Sequence, residues 1–116
     1  MVNIKKYTRD VLTDSAITNL TADKKVYFLH ATNPISPYVE YQMYDENGED
    51  WAENKEIATD YFVQVDIFSK TDYTALEDKI REKMAAADFK RSMATDLYEP
   101  DTGLYHKAMR FVITLI

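Results

Sequence analysis

Cysteine is absent from this chain of 116 residues, glycine occurs only twice and proline three times. Without cysteine there is no disulfide, no thiolate metal site and no cysteine nucleophile, and the composition suits a reducing compartment. With Gly48 and Gly103 as the sole glycines, no glycine loop can cradle a phosphate and no dinucleotide fingerprint can form. No serine stands in a G-x-S-x-G setting either. Basic residues are in deficit, 14 against 20 acidic, for a net charge of −6. A protein whose main task is to grip phosphates needs a basic face. The densest basic group, Lys5, Lys6 and Arg9 with the pair Lys24 and Lys25, reads as solvated surface. No apolar run is long enough to span a bilayer, and Met1 to Tyr7 has no signal-peptide core. The chain is expected to be made in a cytoplasm and to stay soluble.

What remains is ordinary for a folded domain: 46% hydrophobic and 29% charged residues. The length predicts a single domain over 1–116, large enough to fold without a metal or disulfide. Tyrosine is in excess, at nine against five Phe and one Trp. Its apolar ring and polar tip suit half-exposed sheet faces and subunit contacts alike.

Hydrophobic periodicity supplies the elements. Ile4, Tyr7, Val11 and Leu12 predict a helix within 4–20, with Asp14 and Ser15 capping a second short turn that carries Ile17 and Leu20. Val26 to Ala31 is rich in strand formers, and two prolines, Pro34 and Pro37, end it. Tyr38 to Tyr44 predicts a strand with Val39, Tyr41 and Met43 on one side. Asp45 to Asp50 breaks it, Asn47-Gly48 being the strongest turn dipeptide present, and Trp51 opens a polar loop to about Asn54. Ile57 to Phe68 is the long strand, with Tyr61, Val63, Val65 and Ile67 alternating against Asp60, Phe62, Gln64 and Asp66. A second helix runs from about Asp72 to Ala87. Leu76, Ile80, Met84 and Ala87 form its stripe, and Thr74 and Glu77 stand at capping-box spacing with Thr71 and Asp72 as alternative caps. Phe89 to Leu97 and Leu104 to Leu115 close the chain as a hairpin across the turn at 98–103. The order is α-β-β-β-α-β-β. The expected fold is α+β: a single layer of about five strands, mainly antiparallel with a mixed sheet left open, packed against two helices.

Catalytic machinery is not visible. His30 and His106 are lone strand histidines, best explained as partly buried or surface residues. Asp45 to Asp50 surrounds a glycine with carboxylates, but its register does not match a calcium loop. An acidic tip kept soluble by its charges explains it better. Asp60 and Asp66 belong to the outward face of the long strand, where such residues are usual. No cofactor or metal is expected, and no catalytic residue is assigned.

The segments Pro37–Gln42, Ala58–Lys70 and Asp96–Phe111, in that order and spacing, resemble the tail completion (head–tail joining, or tail terminator) proteins of long-tailed bacteriophages and of prophages of Gram-positive bacteria. In that family a P-Y-V-x-Y strand precedes a long V-Q-V-D strand, a helix and a closing hairpin rich in aromatic residues. The resemblance covers essentially the whole chain. It implies a structural protein that forms a ring, commonly a hexamer, on the head-proximal end of the tail tube. Such a ring stops tube growth and joins the tail to the head connector. Its implied partners are the major tail tube protein, the connector protein and further copies of itself, with no sequence-specific nucleic acid binding and no membrane. The implied location is the virion tail, assembled in the bacterial host cytoplasm. The candidate partner-contact loop is Asp45, Glu46, Asn47, Gly48, Glu49, Asp50 and Trp51, which carries the only tryptophan. A cytosolic dimeric domain that binds small molecules or has a regulatory role, or an enzyme of unfamiliar type, are the competing classes.

Overall fold

In the computed structural model, which describes residues 3–48, 51–52, 55–56 and 58–115, Asn3 opens the first helix. Its side chain accepts the Lys6 amide at 3.1 Å, the capping bond an asparagine makes well. This helix, α1, spans Ile4–Leu12. The chain then turns, and Asp14 caps a separate short helix, α2 at Ser15–Thr18, by accepting the Ala16 amide at 2.9 Å. The third helix, α3, spans Thr74–Ala86. The Thr74–Glu77 capping box does not form. Asp72 does the capping instead, taking the amide of Thr74 at 2.9 Å and its hydroxyl at 2.6 Å. These bonds hold the Asp72 carboxyl below the usual range, because they favour its charged form. Glu77 is occupied elsewhere, with Arg81 at 2.8 Å and Lys107 at 3.4 Å. At the other end Asp88 sits in the left-handed region at φ 72°. Phe89 N–H then reaches the Met84 carbonyl at 3.0 Å and Asp88 N–H reaches that of Ala85 at 3.1 Å, the paired bonds that terminate a helix.

The strands in chain order are β1 (Val26–Phe28), β2 (Tyr38–Gly48), β3 (Trp51–Ala52), β4 (Lys55–Glu56), β5 (Thr59–Ser69), β6 (Lys90–Glu99) and β7 (Leu104–Leu115). Five of them form one sheet in the order β1-β2-β5-β7-β6. β1 runs parallel to β2 and every other pairing in that sheet is antiparallel. The sheet is therefore mixed, and the fold is the α+β layer expected.

Three local expectations need correction. β1 is shorter than the predicted Val26–Ala31 strand, because Leu29 takes φ 67°, which no strand residue adopts. Asn47-Gly48 is not the turn: it pairs with Asp60 and Thr59 of β5. The long β5 supplies partners that outweigh the local turn preference, and β2 continues straight through Asp45 and Glu46. A bulge at Tyr44, between Met43 and Asp45, lets it do so with polar residues. The extra residue shifts the alternation, so Asp45 falls opposite Phe62 and Glu46 opposite Tyr61. Beyond it, Trp51 pairs with Glu56 in a separate two-strand ladder of β3 and β4, where a loop was predicted. Ile57, the expected start of the long strand, lies outside the described residues.

The core lies between α3 and one face of the sheet. Tyr61, Val63, Val65 and Ile67 of β5 are buried in one cluster with Leu76, Ile80 and Met84 of α3 and with Met109 and Phe111 of β7. The predicted strand register and helix stripe therefore meet. α1 and α2 add Ile4, Leu12 and Ile17 to this cluster, and the Tyr7 hydroxyl donates to the Ala87 carbonyl at 2.9 Å. Lys107 is buried on the helix side between Glu77 at 3.4 Å and Asp96 at 3.1 Å, the partners a buried ammonium needs.

Candidate functional site

All three helices pack on one side of the sheet, so the other side is free to carry function. There the even-numbered residues of β5 and β7 align with their neighbours in rungs. The first rung runs Tyr38, Phe68, His106, Leu97. Tyr38 stacks on Phe68 with centroids 4.8 Å apart, and Phe68 on His106 at 4.2 Å, a cross-strand ladder worth more than its buried area alone. The segment between β1 and β2 folds over this end. Ala31 is buried there with Tyr38, Phe68 and Leu104 in a second small core, and its amide donates to Glu40 Oε2 at 2.8 Å.

Asp66 stands two residues from Phe68 on the same face of β5. Its place on the outward face predicted a solvated carboxylate, but it is buried, 5% exposed. It accepts from Gln64 Nε2 at 2.9 Å and lies 2.7 Å from His106 Nε2. Asp60 stands six positions along the strand and accepts instead from the Thr114 hydroxyl, so the two aspartates form no catalytic pair. The other ring nitrogen of His106 faces Glu99 at 3.8 Å. Both imidazole nitrogens are thus turned to carboxylates, and neither is directed at a hydroxyl that it could activate. Burial raises the Glu40 carboxyl above its ordinary value, with the Ala31 amide opposing. It pushes the Tyr38 phenol up to about 12, helped by the charges of Glu40 and Glu99. The group is a polar network that ties β5 to β7 and β6. Among the described residues no group of three or more His, Asp or Glu is placed to hold a metal ion. Nor is any helix among them long and apolar enough to cross a membrane.

Further along the same face Arg110 donates to Gln64 Oε1 at 3.0 Å and lies over the Tyr44 ring at 4.6 Å, and Tyr44 meets Phe62 at 5.8 Å. Exposed apolar side chains surround this face and its ends. Ile35 is 69% exposed, Leu29 56% and Leu97 46%. Ile35 helps line a cleft of about 420 Å³ with Tyr38 and Leu104. At the β6–β7 end Tyr98 and Tyr105 form an exposed pair 5.3 Å apart. Leu29 and Ile35 were missed by sequence reasoning, since the prolines there signalled only a break. Of the predicted contact loop, Asp45 and Glu46 are exposed strand residues of β2. Asn47 and Gly48 close its ladder and Trp51 begins β3. Glu49 and Asp50, and the side chains of Asn47 and Trp51, lie outside the described residues.

A sheet with helices on one face, and with exposed apolar side chains on and around the other, is a build that suits a protein working by contact. A family model described as Tail completion protein gp17 matches residues 8–115, and the chain belongs to that family. It is a structural protein of bacteriophage virion assembly, acting in the tail together with other tail or head proteins. No curated protein matches the chain at a significant level.

Proposed function

We propose that this protein caps the head-proximal end of the phage tail tube as a ring, probing no substrate and catalysing no reaction, and that the ring joins the tail to the head connector. The observation that carries this reading is the family match over nearly the whole chain. The bound partners would be the major tail tube protein on one side of the ring and the connector protein on the other, with assembly in the host cytoplasm. Asp45 to Trp51 and the helix-free sheet face are the surfaces we assign to contacts with these partners and with neighbouring copies in the ring. The net charge of −6 suits a ring through which genome DNA passes, because a negative lumen does not retain a moving polyanion. Deleting the gene in its phage tests the reading. Filled heads beside unjoined tails, some of aberrant length, are the expected outcome. Normal joined virions would overturn it.

A further inference from the structure

The sheet has two long edges that no strand among the described residues covers. β1 pairs with β2 only at Val39 to Tyr41, which leaves β2 from Gln42 to Gly48 with β5 on one side alone. On the far edge β6 has β7 on one side alone over all ten residues, Lys90–Glu99. Long bare edges invite pairing with another chain.

Three observations identify the chain that fits. First, β2, β5, β7 and β6 alternate in direction. β6 of one copy laid beside β2 of the next, with both sheets facing the same way, is therefore antiparallel and continues the alternation. Second, the charges match. Asp45, Phe62, Val112 and Lys90 share one rung, so an acid ends that rung at one edge and a base ends it at the other. On the helix side Glu46, opposite Tyr61, and Arg91, opposite Phe111, end rungs two residues apart, because Tyr61 pairs with Ile113 and Phe111 with Val63; beside an Asp45–Lys90 pair they meet diagonally, within reach of long side chains. Third, Glu46, Lys90 and Arg91 are exposed and enter no ion pair among the described residues. The acids at the other end of β6 are already engaged, Asp96 by Lys107 at 3.1 Å and Glu99 near His106 at 3.8 Å. This disfavours a symmetric β6–β6 dimer, which would need them.

We propose that the bare β2 edge bearing Asp45 and Glu46 joins the β6 edge of a second copy bearing Lys90 and Arg91, so that copies link head to tail through one continuous sheet. Such a contact uses two different patches and closes into a ring when the rotation allows. It rests on the ring reading above and names the surfaces that would build the ring.

The absence of cysteine makes the test clean. A chain carrying Asp45→Cys and Lys90→Cys, mixed with purified tail tubes and oxidised, should give a ladder of disulfide-linked multimers, and each single-cysteine chain should stop at dimers or below. In parallel, Glu46→Arg and Arg91→Glu should each raise the protein concentration needed to cap tubes about tenfold, and the double variant should recover most of that loss, since the pair is restored with its signs exchanged. A ladder with rescue supports the join. Wild-type protein that caps tubes while the double-cysteine chain gives no ladder, or gives only dimers, overturns the edge-to-edge join and leaves the capping function standing. Wild-type protein that fails to cap tubes at all overturns the ring reading itself, and the join falls with it.

Discussion

Val65 of β5 and Ile80 of α3 belong to the same core cluster, both with no exposed surface. Truncating either to alanine leaves a cavity that the neighbouring strand and helix cannot close, so each change is expected to cost about 2–4 kcal/mol. Urea melts that match wild type for both variants would show that β5 does not present this face to α3. The tyrosines give a second expectation at the same scale. Burial pushes Tyr38 up to about 12, and burial with the hydrogen bond to Asp96 does the same for Tyr73. An acid group whose folded pKa is raised holds its proton longer in the native state than in the unfolded one. Its contribution is intact below the ordinary tyrosine value near 10 and is lost as pH rises from there toward the folded value. Stability should therefore be flat through neutral and mildly alkaline pH and fall above pH about 10. Urea midpoints measured against pH check this, and a midpoint that rises through that window would contradict it.

Two elements end on residues with positive φ, and they differ in how well the residue suits its place. Gly103 takes φ 72° in the β6–β7 turn, with no atom within 4 Å of where a Cβ would stand. Gly103→Ala should therefore lose about 1 kcal/mol from backbone conformation alone. Asp88 takes the same φ at the end of α3 without glycine's freedom, so Asp88→Gly should gain about 0.5–1 kcal/mol. Thermal melts that move in the opposite direction for either variant would contradict these assignments. The pair also shows what was legible in the sequence. Gly103, with Pro100 before it, announced its turn, whereas nothing local marked Asp88. The alternation of β5 and the stripe of α3 were readable because one face of each is buried in one core. The bulge at Tyr44 and the parallel start at β1 were not, since both depend on which strand lies alongside. The same holds for Asp66: alternation placed it on the correct face, but His106, which lies against it, comes from another strand. The predicted contact loop was legible as an acidic stretch and not as strand. The charges at both ends of one rung appear only once the strand order is known.

At the scale of the whole molecule, the chain is long and narrow, 52 × 28 × 24 Å, with the sheet running the length and the helices along one side. A single edge-to-edge contact over part of one strand buries less than the area that holds stable complexes together. The free protein is therefore expected to be monomeric or weakly associated by light scattering at micromolar concentration. Neighbouring copies gain stability when each also touches the tube, which supplies a high effective concentration for the next. A stable closed dimer in solution would point to a self-complementary patch instead. The most direct measurement is electron microscopy of purified tail tubes mixed with the purified protein. A ring of protein on the head-proximal end alone, with further tube growth stopped there, is the expected result; tubes left bare at both ends, or decorated along their length, would contradict the assignment.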